Sequence, residues 1–266
     1  MADKKRVDQL LVERGLAEDL DQARRLVMAG KVLWRGQLIV KPAEIVSSQD
    51  VIQLVEDASF VSRGGEKLQA AFENFPVTVK GLVCADVGAS TGGFTDCLLQ
   101  QGAARVYSID VGYGLLDWNL RNHPRVVVLE RTNARDLASL PEPVNLITAD
   151  VSFISLKKIL PAMTQWYQDG LGQALILVKP QFEAAREESA RGAGVIRDPA
   201  IHRRVLEDVL EFARSENYHP RGVIRSPLQG PAGNQEFVAW LAYREAGWKD
   251  REPEDLISPL FPQELG

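Results

Sequence analysis

Residues 81–96 read Gly81-Leu82-Val83-Cys84-Ala85-Asp86-Val87-Gly88-Ala89-Ser90-Thr91-Gly92-Gly93-Phe94-Thr95-Asp96. The apolar run from Gly81 to Ala85 reads as a buried strand. Beyond the glycines, Phe94, Cys97 and Leu98 fall at helical spacing. The segment between is therefore a tight turn from strand into helix. Glycines in such a turn let the backbone come close to a ligand, and the helix N-terminus offers free N–H groups. Taken alone, the stretch is also compatible with a plain strand–helix turn.

A second strand, Arg105-Val106-Tyr107-Ser108-Ile109-Asp110, ends in an acid. That acid lies about twenty residues past the first glycine, where a carboxylate can accept hydrogen bonds from both ribose hydroxyls. The glycine spacing is Gly-x-x-x-Gly-Gly, not the Gly-x-Gly-x-x-Gly of a dinucleotide site. An acid, this glycine turn and a second acid closing the next strand resemble the S-adenosylmethionine site of Rossmann-like methyltransferases. The candidate cofactor residues are Asp86, Gly88, Ala89, Ser90, Thr91, Gly92, Gly93, Phe94 and Asp110.

Composition narrows the classes. The 266 residues are enough for one large domain and a small one. A 45% hydrophobic and 25% charged content is that of an ordinary soluble globular protein. No run approaches the roughly eighteen apolar residues of a membrane span, and Met-Ala-Asp-Lys-Lys-Arg precedes no apolar core of a secretory signal. The reading is cytoplasmic, with Cys84 and Cys97 as free buried thiols. Three histidines, none near a cysteine, make a metal site an unpromising reading. The net charge of −5 argues at first against nucleic acid, but residues 245–266 carry six acids and two bases. Residues 1–41 carry nine Lys/Arg against six Asp/Glu, so a local basic face is compatible with the total.

Residues 1–58 read as a small domain. Val7, Leu10 and Leu11 form an apolar stripe ending at Arg14-Gly15. Asp19 or Asp21 caps a second helix through Ala23, Leu26 and Val27, stopped by Gly30. Val32-Leu33-Trp34 and Leu38-Ile39-Val40 flank a hairpin turn, and Asp50 to Val55 is a further strand. Two helices followed by short strands, with Asp21-Gln22-Ala23-Arg24-Arg25-Leu26-Val27-Met28-Ala29-Gly30-Lys31-Val32 as the second helix, resemble the alpha-L RNA-binding domain. The resemblance implies RNA contacts from Arg6, Arg24, Arg25, Lys31 and Arg35, with Arg63 beyond the linker at 59–62. A solvated basic face without a partner is the competing reading.

From 81 to 217, within a larger domain at 63–245, strand and helix patterns alternate. This predicts an α/β domain with a mostly parallel, seven-stranded sheet covered on both faces. Ser62-Arg63-Gly64-Gly65-Glu66-Lys67 opens a helix with Leu68, Ala71, Phe72 and Phe75 on its apolar face. Strands follow at 125–129, 144–150 and 174–180, and two more near 223–224 and 236–242. Residues 155–166 have helical periodicity, 183–197 read as a mobile loop, and Asp198-Pro199 begins a helix. Residues 246–266 read as an acidic, weakly ordered tail. Ligands in such sheets bind at the carboxyl ends of the strands. Asp86, Asp110, Asp150 and Lys179 all fall there.

Seven motifs in order resemble the TlyA family. They are Ser62–Leu68, Asp86–Asp96, Asp110-Val111-Gly112-Tyr113-Gly114, Glu130-Arg131-Thr132-Asn133-Ala134-Arg135-Asp136, Asp150-Val151-Ser152-Phe153-Ile154-Ser155-Leu156, Val178-Lys179-Pro180-Gln181-Phe182-Glu183 and Gly233-Asn234-Gln235-Glu236-Phe237. That family joins an alpha-L RNA-binding domain to an FtsJ-type methyltransferase domain. The resemblance implies 2′-O-methylation of ribosomal RNA within ribosomal subunits, with cytidine as the target. It also implies a Lys67, Asp150, Lys179 and Glu236 tetrad, with Asp136 on the adenine and Asp150 shared with the cofactor. Lys179 is the candidate base, and a lysine must first lose its proton to serve as one. Three alternatives are a retired, binding-only protein, a membrane-active hemolysin and an NAD-dependent oxidoreductase. The intact tetrad, the absence of a spanning segment and the glycine spacing respectively speak against them. The sequence leaves oligomeric state open.

Overall fold

The computed structural model describes residues 4–28, 30–35, 37–54, 59–230, 232–244 and 251–262. The chain divides into two compact units, residues 1–58 and 59–266. The end of the expected small domain, at 55–58, lies outside the described residues.

The first unit opens with β1 (Lys4–Arg6), α1 (Val7–Glu13) and α2 (Leu20–Met28). β2 (Val32–Trp34) and β3 (Gln37–Leu38) form the expected hairpin, and β4 (Ile45–Ser47) and β5 (Ile52–Leu54) follow. β3-β2-β5 make one small antiparallel sheet, while β1 pairs with β4 in a second that the sequence pattern did not reveal. Gly15 and Gly30 take φ of +68° and +69°, the left-handed turn that ends a helix. Val7, Leu10, Leu11, Ala23, Val27, Val32 and Ile52 form the core. Asp8 is fully buried at its edge and is held as a carboxylate by Arg6, at 2.6 Å, and Arg24, at 3.5 Å. The Arg6 hydrogen bond holds its carboxyl below the usual carboxylate range.

The second unit is built on β6 (Val83–Val87), β7 (Arg105–Ile109), β8 (Val126–Leu129), β9 (Leu146–Ala149), β10 (Gly172–Val178), β11 (Tyr218–Arg225) and β12 (Phe237–Tyr243). The spatial order is β11-β12-β10-β9-β6-β7-β8. Pairing is parallel from β10 through β8, and β12 runs antiparallel to both of its neighbours. The helices are α3 (Gly64–Asn74), α4 (Gly93–Gln100), α5 (Trp118–Arg121), α6 (Leu160–Met163), α7 (Pro180–Glu183), α8 (Arg186–Arg191), α9 (Pro199–Ser215) and α10 (Pro253–Ile257). Strand alternation divides the core into two layers. Leu175 and Leu177 face a cluster with Leu68, Phe94 and Leu98, whereas Ala174, Ile176 and Val178 face one with Leu160, Val205 and Leu206. No helix among the described residues is long and apolar enough to cross a membrane.

Two expectations change. Residues 183–197 include α8 and bury Val195 and Ile196, because Asn234 donates to the Gly194 carbonyl (2.9 Å) and accepts from the Ile196 amide (2.8 Å). Within the expected tail, Pro253–Ile257 form α10, which buries Leu256 and Ile257 against the sheet-covering layer. Leu256 and Ile257 are buried while Glu254 and Asp255 stay exposed, so the helix gains apolar burial without burying its acids.

Asp86 is also placed differently from its expected role. Its side chain points beneath the cofactor turn, fully buried, and accepts from Thr95 (2.7 Å) and Thr148 (3.1 Å). Thr95 in turn meets Ser108 at 2.8 Å. The network ties β6, β7 and β9 to the first turn of α4, and burial pushes the Asp86 carboxyl up to about 7. The native state thus keeps a proton that the unfolded chain has released, so stability falls as pH rises from about 4 to about 7. Denaturant titrations across that range should show wild-type stability falling relative to that of Asp86→Asn by a few kcal/mol, as order of magnitude.

Candidate functional site

Sheet register assembles the site. β9 and β10 are parallel with Ile176 opposite Ala149, so Asp150 and Lys179 leave the sheet side by side. β12 enters antiparallel with Phe237 opposite Val178, which brings Glu236 to the same edge. Lys67 arrives from the first turn of α3.

Two ion pairs result. Lys67 Nζ contacts Glu236 Oε2 at 2.5 Å, with exposures of 9% and 1% for the two residues. Lys179 Nζ lies 2.5 Å from Asp150 Oδ1, off the line of a hydrogen bond, and donates to Ser152 Oγ at 2.9 Å. Lys67, Asp150, Ser152 and Lys179 line one cavity of about 270 Å³, together with Gly88, Ala89, Ser90, Thr91, Gly93 and Phe94. The exposed Arg63 side chain lies at its wall.

A second cavity, of about 410 Å³, shares Gly88, Ser90, Asp150 and Ser152 with the first. Val111, Leu115, Ile154 and Ile159 give it apolar walls, and Asp110 supplies a carboxylate. Asp110 Oδ2 accepts from the Ser90 amide at 2.8 Å, and Oδ1 accepts from the Gly112 amide at 2.7 Å. Each oxygen keeps a lone pair for a ligand hydroxyl. An apolar slot with an acid at one end fits an adenosine, and the glycine turn fits the amino-acid part of an S-adenosyl ligand. Gly88 has φ +81°, and a Cβ there would meet the Asp150 carbonyl at 2.5 Å, so the turn closes tightly on the end of β9.

Besides Asp86, two expected ligand residues stand apart from these cavities. Asp136 is exposed and takes the Asn133 amide at 2.8 Å; Thr132, Asn133 and Ala134 line the slot in its place. Gly92 faces Leu116 and Leu120, where a side chain would overlap them. Ser152 and the exposed Phe153, at φ +63°, belong to the quoted Asp150–Leu156 motif but were not singled out in it.

In the first unit, Arg6 and Arg24 clasp Asp8, and Arg24 also meets Asp21 at 3.3 Å. Arg35 pairs with Asp50 at 3.0 Å and lies over the Trp34 ring. Arg25 is exposed, and Lys31 is half-buried.

Residues 60–243 match the FtsJ-like methyltransferase family. The 16S/23S rRNA (cytidine-2′-O)-methyltransferase TlyA of Mycobacterium tuberculosis is 48% identical over 245 residues, or 91% of each chain. The chain belongs to the TlyA family. Hemolysin A of Brachyspira hyodysenteriae is 38% identical across 88% of this chain and 98% of its own. A solved Streptococcus thermophilus structure is 40% identical, covers 97% of this chain and 95% of its own, and superposes with a TM-score of 0.72.

In this TlyA-family chain the two helix N-termini at the site touch through glycine. A Cβ at Gly93 would meet Gly65 N at 2.8 Å and Gly64 Cα at 3.1 Å. Gly93→Ala should push α3 from α4 and cost about 1–3 kcal/mol of stability. Thermal unfolding, followed alongside donor affinity, should show both reduced.

Proposed function

We propose that the chain is an S-adenosylmethionine-dependent methyltransferase acting on ribose 2′-hydroxyls of ribosomal RNA, at cytidine. The observation that carries the reading is the meeting of Lys67, Asp150 and Lys179 in one cavity that opens onto the adenosine-shaped slot. The Mycobacterium tuberculosis relative, whose name specifies cytidine in 16S and 23S rRNA, supports the substrate.

The donor supplies an electrophilic sulfonium methyl. Asp110 would hold its ribose hydroxyls, Gly88 and Gly93 would let its amino-acid part approach the backbone, and Thr132 to Ala134 would border the adenine. Neutral Lys179 would take the proton of the 2′-hydroxyl as the oxygen attacks the methyl carbon; the S–CH3 bond would break, its electron pair returning to sulfur, and the neutral thioether S-adenosylhomocysteine would leave. The ammonium so formed would be held by Asp150 and Ser152, which lie 2.5 Å and 2.9 Å from Nζ. Solvent then receives that proton and restores the base. Lys67, fixed by Glu236, would orient the sugar oxygen and offset charge on it.

The first unit would act as an alpha-L RNA-binding domain, with Arg25, Lys31 and Arg35 on phosphates and Arg6 and Arg24 presenting the N–H groups that Asp8 does not use. On the second unit, Arg63 would contact RNA at the cavity wall.

Lys179→Ala should slow methyl transfer to ribosomal subunits by about 10²–10⁴-fold while leaving donor binding unchanged by calorimetry. Turnover near the wild-type rate removes the base assignment. Asp110→Ala should weaken donor binding by about 1–3 kcal/mol, and unchanged affinity removes Asp110 from the site.

A further inference from the structure

Beside Lys179 lies a third cavity, of about 470 Å³, walled in part by Ser152, Phe153, Gln181, Phe182, Asn234 and Glu236. Most of its polar side chains are already committed. Glu236 holds Lys67, and Ser152 accepts from Lys179. Both ends of the Asn234 amide serve the 194–196 backbone. Gln181 Oε1 is different: it is buried and has no hydrogen-bond partner. An unpaired buried acceptor is costly and asks for a reason. Gln181 stands two residues after Lys179 in the same motif, on α7. A group bound against Lys179 therefore brings its attached base within reach of this cavity.

We propose that Gln181 reads the target nucleobase, its Oε1 accepting a hydrogen bond from the 4-amino group of cytosine. The inference rests on ribose methylation at Lys179, as argued above. Cytosine presents a donor at position 4, whereas uracil presents a carbonyl. With uracil, two acceptors face each other and both stay unpaired. Phe153 and Phe182, with ring centroids 5.1 Å apart and planes tilted by 48°, offer the apolar wall that an extruded base requires. A site built to pair with a substrate donor discriminates strongly against an analogue that lacks it.

The test uses the full-length protein and ribosomal subunits from cells lacking it, carrying either the mapped target cytidine or a uridine in its place. Wild type should prefer cytidine by about 10–100-fold in kcat/KM. Gln181→Leu should lose that preference, leaving the two substrates within about threefold. Gln181→Glu keeps the acceptor and should keep the preference at a lower rate. Calorimetric donor binding identifies folded variants, and the Glu variant carries the test if the Leu variant does not bind. A wild-type cytidine preference in Gln181→Leu overturns the inference while leaving the function intact. So does a lost preference in Gln181→Glu, which means that the amide N–H₂ is the reading group. Absence of methyl transfer by wild type to either subunit overturns the function and this inference together.

Discussion

A lysine ammonium removed from water must be met by a carboxylate, and here the condition is imposed twice within one cleft. Lys67 and Lys179 are 9% and 7% exposed, a burial at which an unpaired charge is costly. Glu236 and Asp150 are their anionic neighbours. The pairing constrains the whole second unit, since β9, β10 and β12 must hold their register for both carboxylates to arrive. Removing one partner of such a pair leaves an uncompensated charge and costs more than the pair itself contributes. The two pairs are therefore weak sources of net stability.

The cofactor side of the cleft is held by smaller forces. Asp110 fastens the Gly88–Gly93 turn through the Ser90 amide, and the Asp86–Thr95–Ser108 network fastens α4 from below. Glycine contact between α3 and α4 sets the separation of their N-termini, and with it the position of Lys67. One carboxylate thus lines the second cavity and the other supports the floor, although both close or nearly close adjacent strands. The pleat decides between them: Asp86 is still within β6 and points into the layer under α4, whereas Asp110 lies just past the end of β7.

Much of this was legible in the chain. The strand–turn–helix at 83–100, the acids and lysine at strand ends, and the hairpin at 32–38 follow from local pattern. The Lys67–Glu236 pair spans 169 residues, and only family resemblance, not spacing, could join its members. A short 3-10 turn at Ala134–Asp136 leaves the Asp136 side chain in solvent, a placement that the strand pattern before it does not reveal. The 183–197 segment and the 253–257 helix look polar in sequence, yet each is fixed by a few groups distant along the chain: Asn234 for the first, the core beneath Leu256 and Ile257 for the second. Gln181 was invisible for the same reason. Its significance lies in the partners its neighbours have and it lacks.

The central claim, that a buried lysine turns a sugar hydroxyl into a nucleophile, is tested most directly by locating the transferred methyl. Wild-type protein, isotopically labelled S-adenosylmethionine and ribosomal subunits from cells lacking the protein would be incubated, and the RNA digested to nucleosides for mass spectrometry. The account predicts the label in 2′-O-methylcytidine. Label on a base carbon or nitrogen, or no label in RNA, contradicts it.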